Sequence, residues 1–265
     1  MYAFQYHRPQ SLADAAKLLA GSSEAKLLAG GHTLIPTMKQ RLANPPVLID
    51  LARVAELRGI DKKGSALVIG AMTTHDEVAG SSVVRGAIAG LCDVAGFIGD
   101  PHVRNRGTIG GSVANNDPAA DYPAAVLALG ATIASNKREI AADDFFKGLF
   151  STALGEGEII TRISFPVPAK FAYVKFANPA SRYALVGVAV SKTGAAVRVA
   201  VTGAGRNGVF RHAAAETALA ANWSAQALAN LATNAADLMS DIHADAAYRA
   251  HLVGVLTRRA VAKAG

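Results

Sequence analysis

The sequence predicts an α+β protein with two mixed N-terminal units and a C-terminal unit in which strands precede helices. Three observations carry that prediction. Residues 1–55 run strand, glycine turn, helix, strand, the order of a small βαβ unit. Residues 56–167 alternate short apolar strands with Ala-rich helical stretches. Beyond Pro166-Val167-Pro168, three apolar strands come together before three helices, the segregated order of a separate α+β domain over 170–265.

Each element has a local reason. Ser11, with Asp14 three residues on, resembles a capping box and opens a helix whose apolar face carries Leu12, Ala15, Ala16 and Leu19. Lys26–Ala29 is a short buried strand, broken by Gly30-Gly31-His32-Thr33. Leu34–Leu42 is helical, with Pro36 tolerated in the first turn, and Val47–Leu51 is the return strand. Leu67–Ile69 starts the second unit, and Thr74 with Glu77 marks another helix start, with helix through Val83–Val94. Gly96–Asn116 is expected to be loop, Ala119–Leu129 helix, and Ala131–Ser135 and Glu158–Phe165 strands. In the last unit Tyr173–Ala177, Ala184–Lys192 and Ala196–Thr202 make a three-stranded antiparallel sheet. The helices His212–Ala221, Ser224–Met239 and Tyr248–Ala262 follow it.

Composition narrows the function classes. With 51% hydrophobic and 18% charged residues over 265 positions, the chain can bury a sizeable core. Lys and Arg number 27 against 20 Asp and Glu. The cations are dispersed, with no run of the kind that forms a nucleic-acid tail, so a solvated basic surface is the expectation. Cys92 is the only cysteine, which excludes an intrachain disulfide and an iron–sulfur cluster held by this chain alone. His7, His32, His75 and His102 are too dispersed in sequence to propose zinc. No secretory signal or membrane-spanning apolar run is evident, so the expectation is a soluble cytoplasmic protein.

Two glycine pairs stand out, in Leu27-Leu28-Ala29-Gly30-Gly31-His32-Thr33 and in Thr108-Ile109-Gly110-Gly111-Ser112. Glycine lets backbone N–H groups approach a phosphate with no Cβ in the way, and such nests bind anions without lysine. Taken singly, either pair is better read as an ordinary turn. Gly203-Ala204-Gly205-Arg206-Asn207-Gly208 satisfies the dinucleotide pattern G-x-G-x-x-G more formally. It lacks the second parallel strand with an acidic end that a dinucleotide unit needs, so it is discounted.

Longer stretches carry a resemblance. Phe4-Gln5-Tyr6-His7-Arg8-Pro9, Leu28 through Pro36, and Thr108 through Ser112 followed by Asp117-Pro118-Ala119-Ala120-Asp121 are similar to one family. That family is the FAD-binding (medium) subunits of the xanthine dehydrogenase and aerobic carbon monoxide dehydrogenase group of molybdenum hydroxylases. The likeness extends through Gly70–His75 and Gly157–Pro168 and covers essentially the whole chain. Ser112 stands where many relatives have Asn, and Val113-Ala114-Asn115-Asn116 replaces a His-containing stretch.

The resemblance implies a vanillyl-alcohol-oxidase (PCMH)-type fold in which two N-terminal subdomains hold FAD and the C-terminal domain covers it. It implies that Leu27, Leu28, Ala29, Gly30, Gly31, His32, Thr33 and Leu34, with Thr108, Ile109, Gly110, Gly111 and Ser112, contact the pyrophosphate. Asp121 would accept hydrogen bonds from ribityl or ribose hydroxyls. Ile98 and Ile160 would touch the adenine or isoalloxazine, or be plain core. Lys175 would stabilise charge on the reduced ring, or be a solvated strand lysine; Tyr183 would lie beside the ring, or pack on the C-terminal helices.

No catalytic or metal-ligating residue is expected in this chain. The molybdenum cofactor would sit in a large partner subunit and [2Fe-2S] clusters in a small one, in a dimer of heterotrimers. Carbon monoxide, an aldehyde, a purine and an N-heterocycle all remain open as substrates of the complex. The alternatives are a self-contained FAD oxidase or reductase of the same fold and a non-enzymatic anion-binding module.

Overall fold

Short local signals set the element boundaries, and packing decides what lies between them. In the computed structural model, which describes residues 1–265, β1 (Gln5–His7) precedes α1 (Leu12–Ala20). The Ser11 hydroxyl opens α1 by accepting from the Asp14 amide at 3.1 Å. β2 (Lys26–Leu28) leads through the glycine turn into α2 (Leu34–Lys39), and β3 (Val47–Asp50) returns. All three strands are parallel, in the order β1-β3-β2. β1 is thus an extra edge strand beside the expected βαβ unit. Ala15, Ile49, Leu51, Val54 and Leu57 form the small core beneath.

β4 (Ile60–Lys63) and β5 (Ala66–Gly70) follow as a hairpin. α3 (His75–Gly80) opens with the full capping box: Thr74 Oγ1 accepts from the Glu77 amide, and the Glu77 carboxylate accepts from the Thr74 amide at 2.6 Å. α4 (Ser82–Gly96) comes next. The expected loop at 96–116 holds two short helices instead, α5 (Pro101–Arg104) and α6 (Ile109–Asn115), started by the Asp100 and Thr108 side chains. Every residue of α7 (Asp121–Ala128) is buried.

The chain then runs through β6 (Thr132–Ser135), β7 (Glu139–Ala141) and α8 (Ala142–Phe145). A small ribbon, β8 (Phe146–Gly148) with β9 (Ser151–Thr152), precedes β10 (Ile160–Pro166). The resulting antiparallel sheet has the order β4-β5-β10-β6-β7.

The last sheet has four strands where three were expected: β11 (Lys170–Ala177), β12 (Ala184–Thr193), β13 (Ala196–Thr202) and the two-residue edge β14 (Phe210–Arg211). β14 is too short to leave an alternating pattern. α10 packs on one side of the sheet and α7 with α4 on the other; here α9 is Ala213–Ala221 and α10 is Ala246–Ala264. That double cover is why β12 reads as a continuous apolar run, Ala184 to Val190, with each of those residues buried.

The expected helix at Ser224–Met239 does not form. Only single 3-10 turns occur, at Gln226–Leu228 and Ala235–Asp237. Besides bonds within these turns, the backbone of the segment reaches the loop after β13. Met239 N–H donates to Ala204 O at 2.9 Å, and Asp237 O accepts from the Arg206 amide at 3.0 Å.

Candidate functional site

The glycine turn after β2, the start of α6, the α4–α5 loop, the segment entering β10 and the β11–β12 hairpin tip line one cleft of about 870 Å³. Of the residues singled out from sequence, all but Ile109 and Lys175 face it.

The first loop is held tightly from outside. Gly30 lies against the Arg106–Gly107 backbone, where a Cβ would run into Arg106 O and come within 2.7 Å of Gly107 Cα. Gly31 has φ +76°, a left-handed conformation that L side chains adopt only with strain. His32 Nε2 is 3.2 Å from His102 O. Thr33 begins α2 but makes no side-chain cap, unlike Ser11, Thr74, Ser81, Asp100 and Thr108 at their helices. The amides of Gly30, Gly31, His32 and Thr33 donate to no acceptor within the chain. Leu27, Leu28, Ala29 and Leu34 complete this wall.

The second loop has the opposite character. Ile109 N–H donates to Thr73 O at 3.0 Å and Gly110 N–H to Ala71 O at 2.9 Å. Gly111 N–H donates to Thr108 Oγ1 at 3.1 Å, and Ser112 N–H to Thr108 O at 3.0 Å. These amides are spent on anchoring α6, so this stretch does not repeat the open nest of the first. Thr108, Gly110, Gly111 and Ser112 still line the cleft. Ile109 does not: its side chain is fully buried in the large core, because the first turn of α6 sends that position inward.

Asp121 opens α7 at the floor of the cleft and is 4% exposed. One carboxylate oxygen accepts from the Tyr173 hydroxyl, and the other from Lys175 Nζ at 2.9 Å. Burial pushes the Asp121 carboxyl above its ordinary range, opposed by the Lys175 charge. Burial likewise holds the Tyr173 phenol well up, which keeps it a donor. Lys175 also donates to Phe97 O at 3.0 Å, and its side chain is buried. It stands beside Asp121 and is not among the residues that line the cleft, and its buried side chain is not that of a solvated strand lysine. Ile98 and Ile160 present apolar surface to the cleft, and Tyr183 reaches it from the hairpin tip, half-exposed.

Comparison with known proteins decides the family. Residues 2–168 match the FAD binding domain in molybdopterin dehydrogenase, and 171–264 match the CO dehydrogenase flavoprotein C-terminal domain. The chain belongs to the FAD-binding medium-subunit family of the molybdenum hydroxylases. It is 37% identical over 274 residues to the carbon monoxide dehydrogenase medium chain of Hydrogenophaga pseudoflava, covering 97% of this chain and 96% of that one. It is 36% identical over 279 residues to the nicotine 6-hydroxylase medium subunit of Paenarthrobacter nicotinovorans, covering 99% and 98%. Reconstituted CO dehydrogenase from Oligotropha carboxidovorans contains a chain that superposes with a TM-score of 0.90 at 36% identity, covering 100% of this chain and 99% of its own.

Within this FAD-subunit frame, three features of the cleft escaped sequence reasoning. His75 is 4% exposed, lies with its ring 5.4 Å from that of Tyr122 at a 44° tilt, and has no partner for Nδ1. Burial, aided by the His32 and Arg104 charges, lowers its imidazole to about 4. Leu154 through Ile159 make a wall whose only advance signal is the Gly155-Glu156-Gly157 turn ahead of a strand. Arg182, at φ +62°, donates to Gly99 O at 3.2 Å and ties the hairpin tip to the α4–α5 loop.

The G-x-G-x-x-G stretch lies elsewhere, beside a separate smaller pocket. The strand after it, β14, pairs antiparallel with β13, so it is not part of a dinucleotide unit. No group of three or more His, Cys, Asp or Glu is placed to hold a metal, and no helix is long and apolar enough to cross a membrane.

Proposed function

We propose that this chain is the electron-relay subunit of a molybdenum hydroxylase complex, holding FAD non-covalently in the cleft. The observation that carries the reading is the run of free amides from Gly30 to Thr33, next to an uncapped helix start. Adjacent backbone donors in a glycine turn suit a pyrophosphate, and the left-handed Gly31 lets them cluster. Ser112 and Thr108 offer hydroxyls from the adjoining second loop. Asp121, with both oxygens already engaged by Tyr173 and Lys175, has lone pairs left to accept from a sugar or ribityl hydroxyl. Ile98, Ile160 and Tyr183 would shield the aromatic rings from water.

FAD supplies the ability to take and release one or two electrons; the chain positions it and tunes the field around it. Lys175 acts through Asp121, setting that carboxylate's charge and orientation. In this reading, [2Fe-2S] clusters of a small partner deliver electrons to this subunit, which passes them to an external acceptor. The molybdenum cofactor works in a large partner, in a dimer of heterotrimers. Residues 1–55 and 56–167 form the two PCMH-type subdomains that grip FAD, and 170–265 covers it. A cytoplasmic location accords with the lone buried thiol of Cys92.

The purified protein should show flavin absorbance, and acid precipitation should release FAD into the supernatant. A colourless protein that takes up no added FAD, or yellow colour kept in the pellet, overturns the reading.

A further inference from the structure

We propose that the four-residue turn Ser135–Arg138 is a strap that presets the cleft wall at 153–159 for the cofactor, with Arg138 and Glu158 as the positioning pair. The inference rests on the FAD reading above and adds residues that the reading does not use.

The wall has no regular secondary structure and contains two glycines, Gly155 and Gly157, so alone it would be mobile. The turn between β6 and β7 grips it at nearly every residue. Asn136 brackets it: its amide donates to Ile159 O at 2.9 Å, while its side chain accepts from the Ile159 amide at 2.9 Å and donates to Gly157 O at 3.3 Å. Lys137 Nζ donates to Glu156 O at 2.7 Å. Arg138 Nη2 donates to Ala153 O at 2.6 Å and to Glu158 at 3.1 Å, and its Nε donates to Glu158 at 2.8 Å.

Glu158 closes the device from inside the cleft. Its carboxylate accepts from the Gly155 amide at 2.6 Å and from Ser135 Oγ at 3.2 Å, besides the Arg138 fork. The Glu158 side chain is 3% exposed, whereas that of Arg138 is 53% exposed. The fork constrains where the buried carboxylate, and the turn it holds, can sit, and it holds the Glu158 carboxyl down to about 2, so removing it also costs stability. An ordered wall spares a ligand the entropy of ordering it, so its effect falls on cofactor affinity.

The test compares wild type with Arg138→Met, Arg138→Lys and Asn136→Ala in the full chain. The readouts are FAD affinity by fluorescence titration of the FAD-free protein, amide exchange at 153–159, and thermal midpoint. Arg138→Met should weaken FAD binding about tenfold through lost preorganisation. It should also speed exchange across the wall and lower the midpoint, because Glu158 loses its ion partner. Asn136→Ala should act in the same direction on affinity and exchange; it leaves that pair in place and so separates affinity from stability. Arg138→Lys keeps a charge for Glu158 and should recover part of the affinity.

Unchanged affinity in folded Arg138→Met and Asn136→Ala variants overturns the strap, as does affinity lost in Asn136→Ala only in step with the thermal midpoint. Absence of FAD binding by wild type overturns the reading of the cleft itself, and the strap's role with it.

Discussion

At the scale of single residues, His75 is the group whose burial most clearly shapes behaviour. Its imidazole is packed on Tyr122 with Nδ1 unpartnered, and burial holds it neutral down to about 4. In the unfolded chain a histidine titrates near 6.5. Between those values the unfolded state binds the extra proton, so stability is complete above about pH 6.5 and declines as pH falls toward 4. His212, also lowered by burial, acts in the same direction. His75→Gln should therefore flatten, without abolishing, the fall of the thermal midpoint between pH 7 and 4, on the linkage argument. An unchanged slope would show that His75 is not buried and neutral as described.

At the scale of elements, α2 and α6 start beside each other along the cleft and divide the labour. Thr108 spends its side chain capping α6, whose first amides are consumed by Thr73, Ala71 and Thr108 itself. Thr33 leaves α2 uncapped and the amides before it free. Substitutions should separate the two roles. Gly31→Val places a branched side chain at φ +76°, at a cost of about 1–2 kcal/mol for the left-handed backbone. It should also pull the free amides apart and strip FAD from the protein. Thr108→Val removes a cap worth about 1 kcal/mol and one hydroxyl offered to the cofactor, so it should lower the thermal midpoint while losing less flavin than Gly31→Val. Flavin content after gel filtration decides; equal loss in both variants would mean that α6 contributes its amides after all.

At the scale of the whole molecule, three cores carry the three larger sheets, and the cleft lies where the first two units and the β11–β12 tip meet. On the relay reading proposed above, the molybdenum chemistry belongs to a partner subunit and not to this chain. The isolated chain should therefore not oxidise carbon monoxide, aldehydes or purines with a dye acceptor. Turnover should appear on reconstitution with molybdenum and iron–sulfur subunits. Rapid turnover by the lone, molybdenum-free chain would favour the self-contained oxidase.

The sequence by itself determined the elements with strong periodicity or caps, such as α1, α3 and β13, and the glycine turn at Gly30-Gly31. In these the information is local: a capping side chain three residues from its partner amide, or a run of β-branched residues, suffices. It also marked the two glycine loops of the cleft, because close backbone approach leaves glycine as its trace. Only the tertiary structure decided the rest. Whether an amide at 109–112 is free depends on Ala71 and Thr73, distant in the chain. Lys175 sits beside Asp121 because Phe97 O lies there to receive it. Ser224–Met239 has helical composition, yet its backbone partners are Ala204 and Arg206. The strap at 135–138 and its wall at 153–159 are each unremarkable turns in sequence. They become a site only when β6 and β10 pair and bring the two together, since a hydrogen bond between distant residues leaves no local pattern.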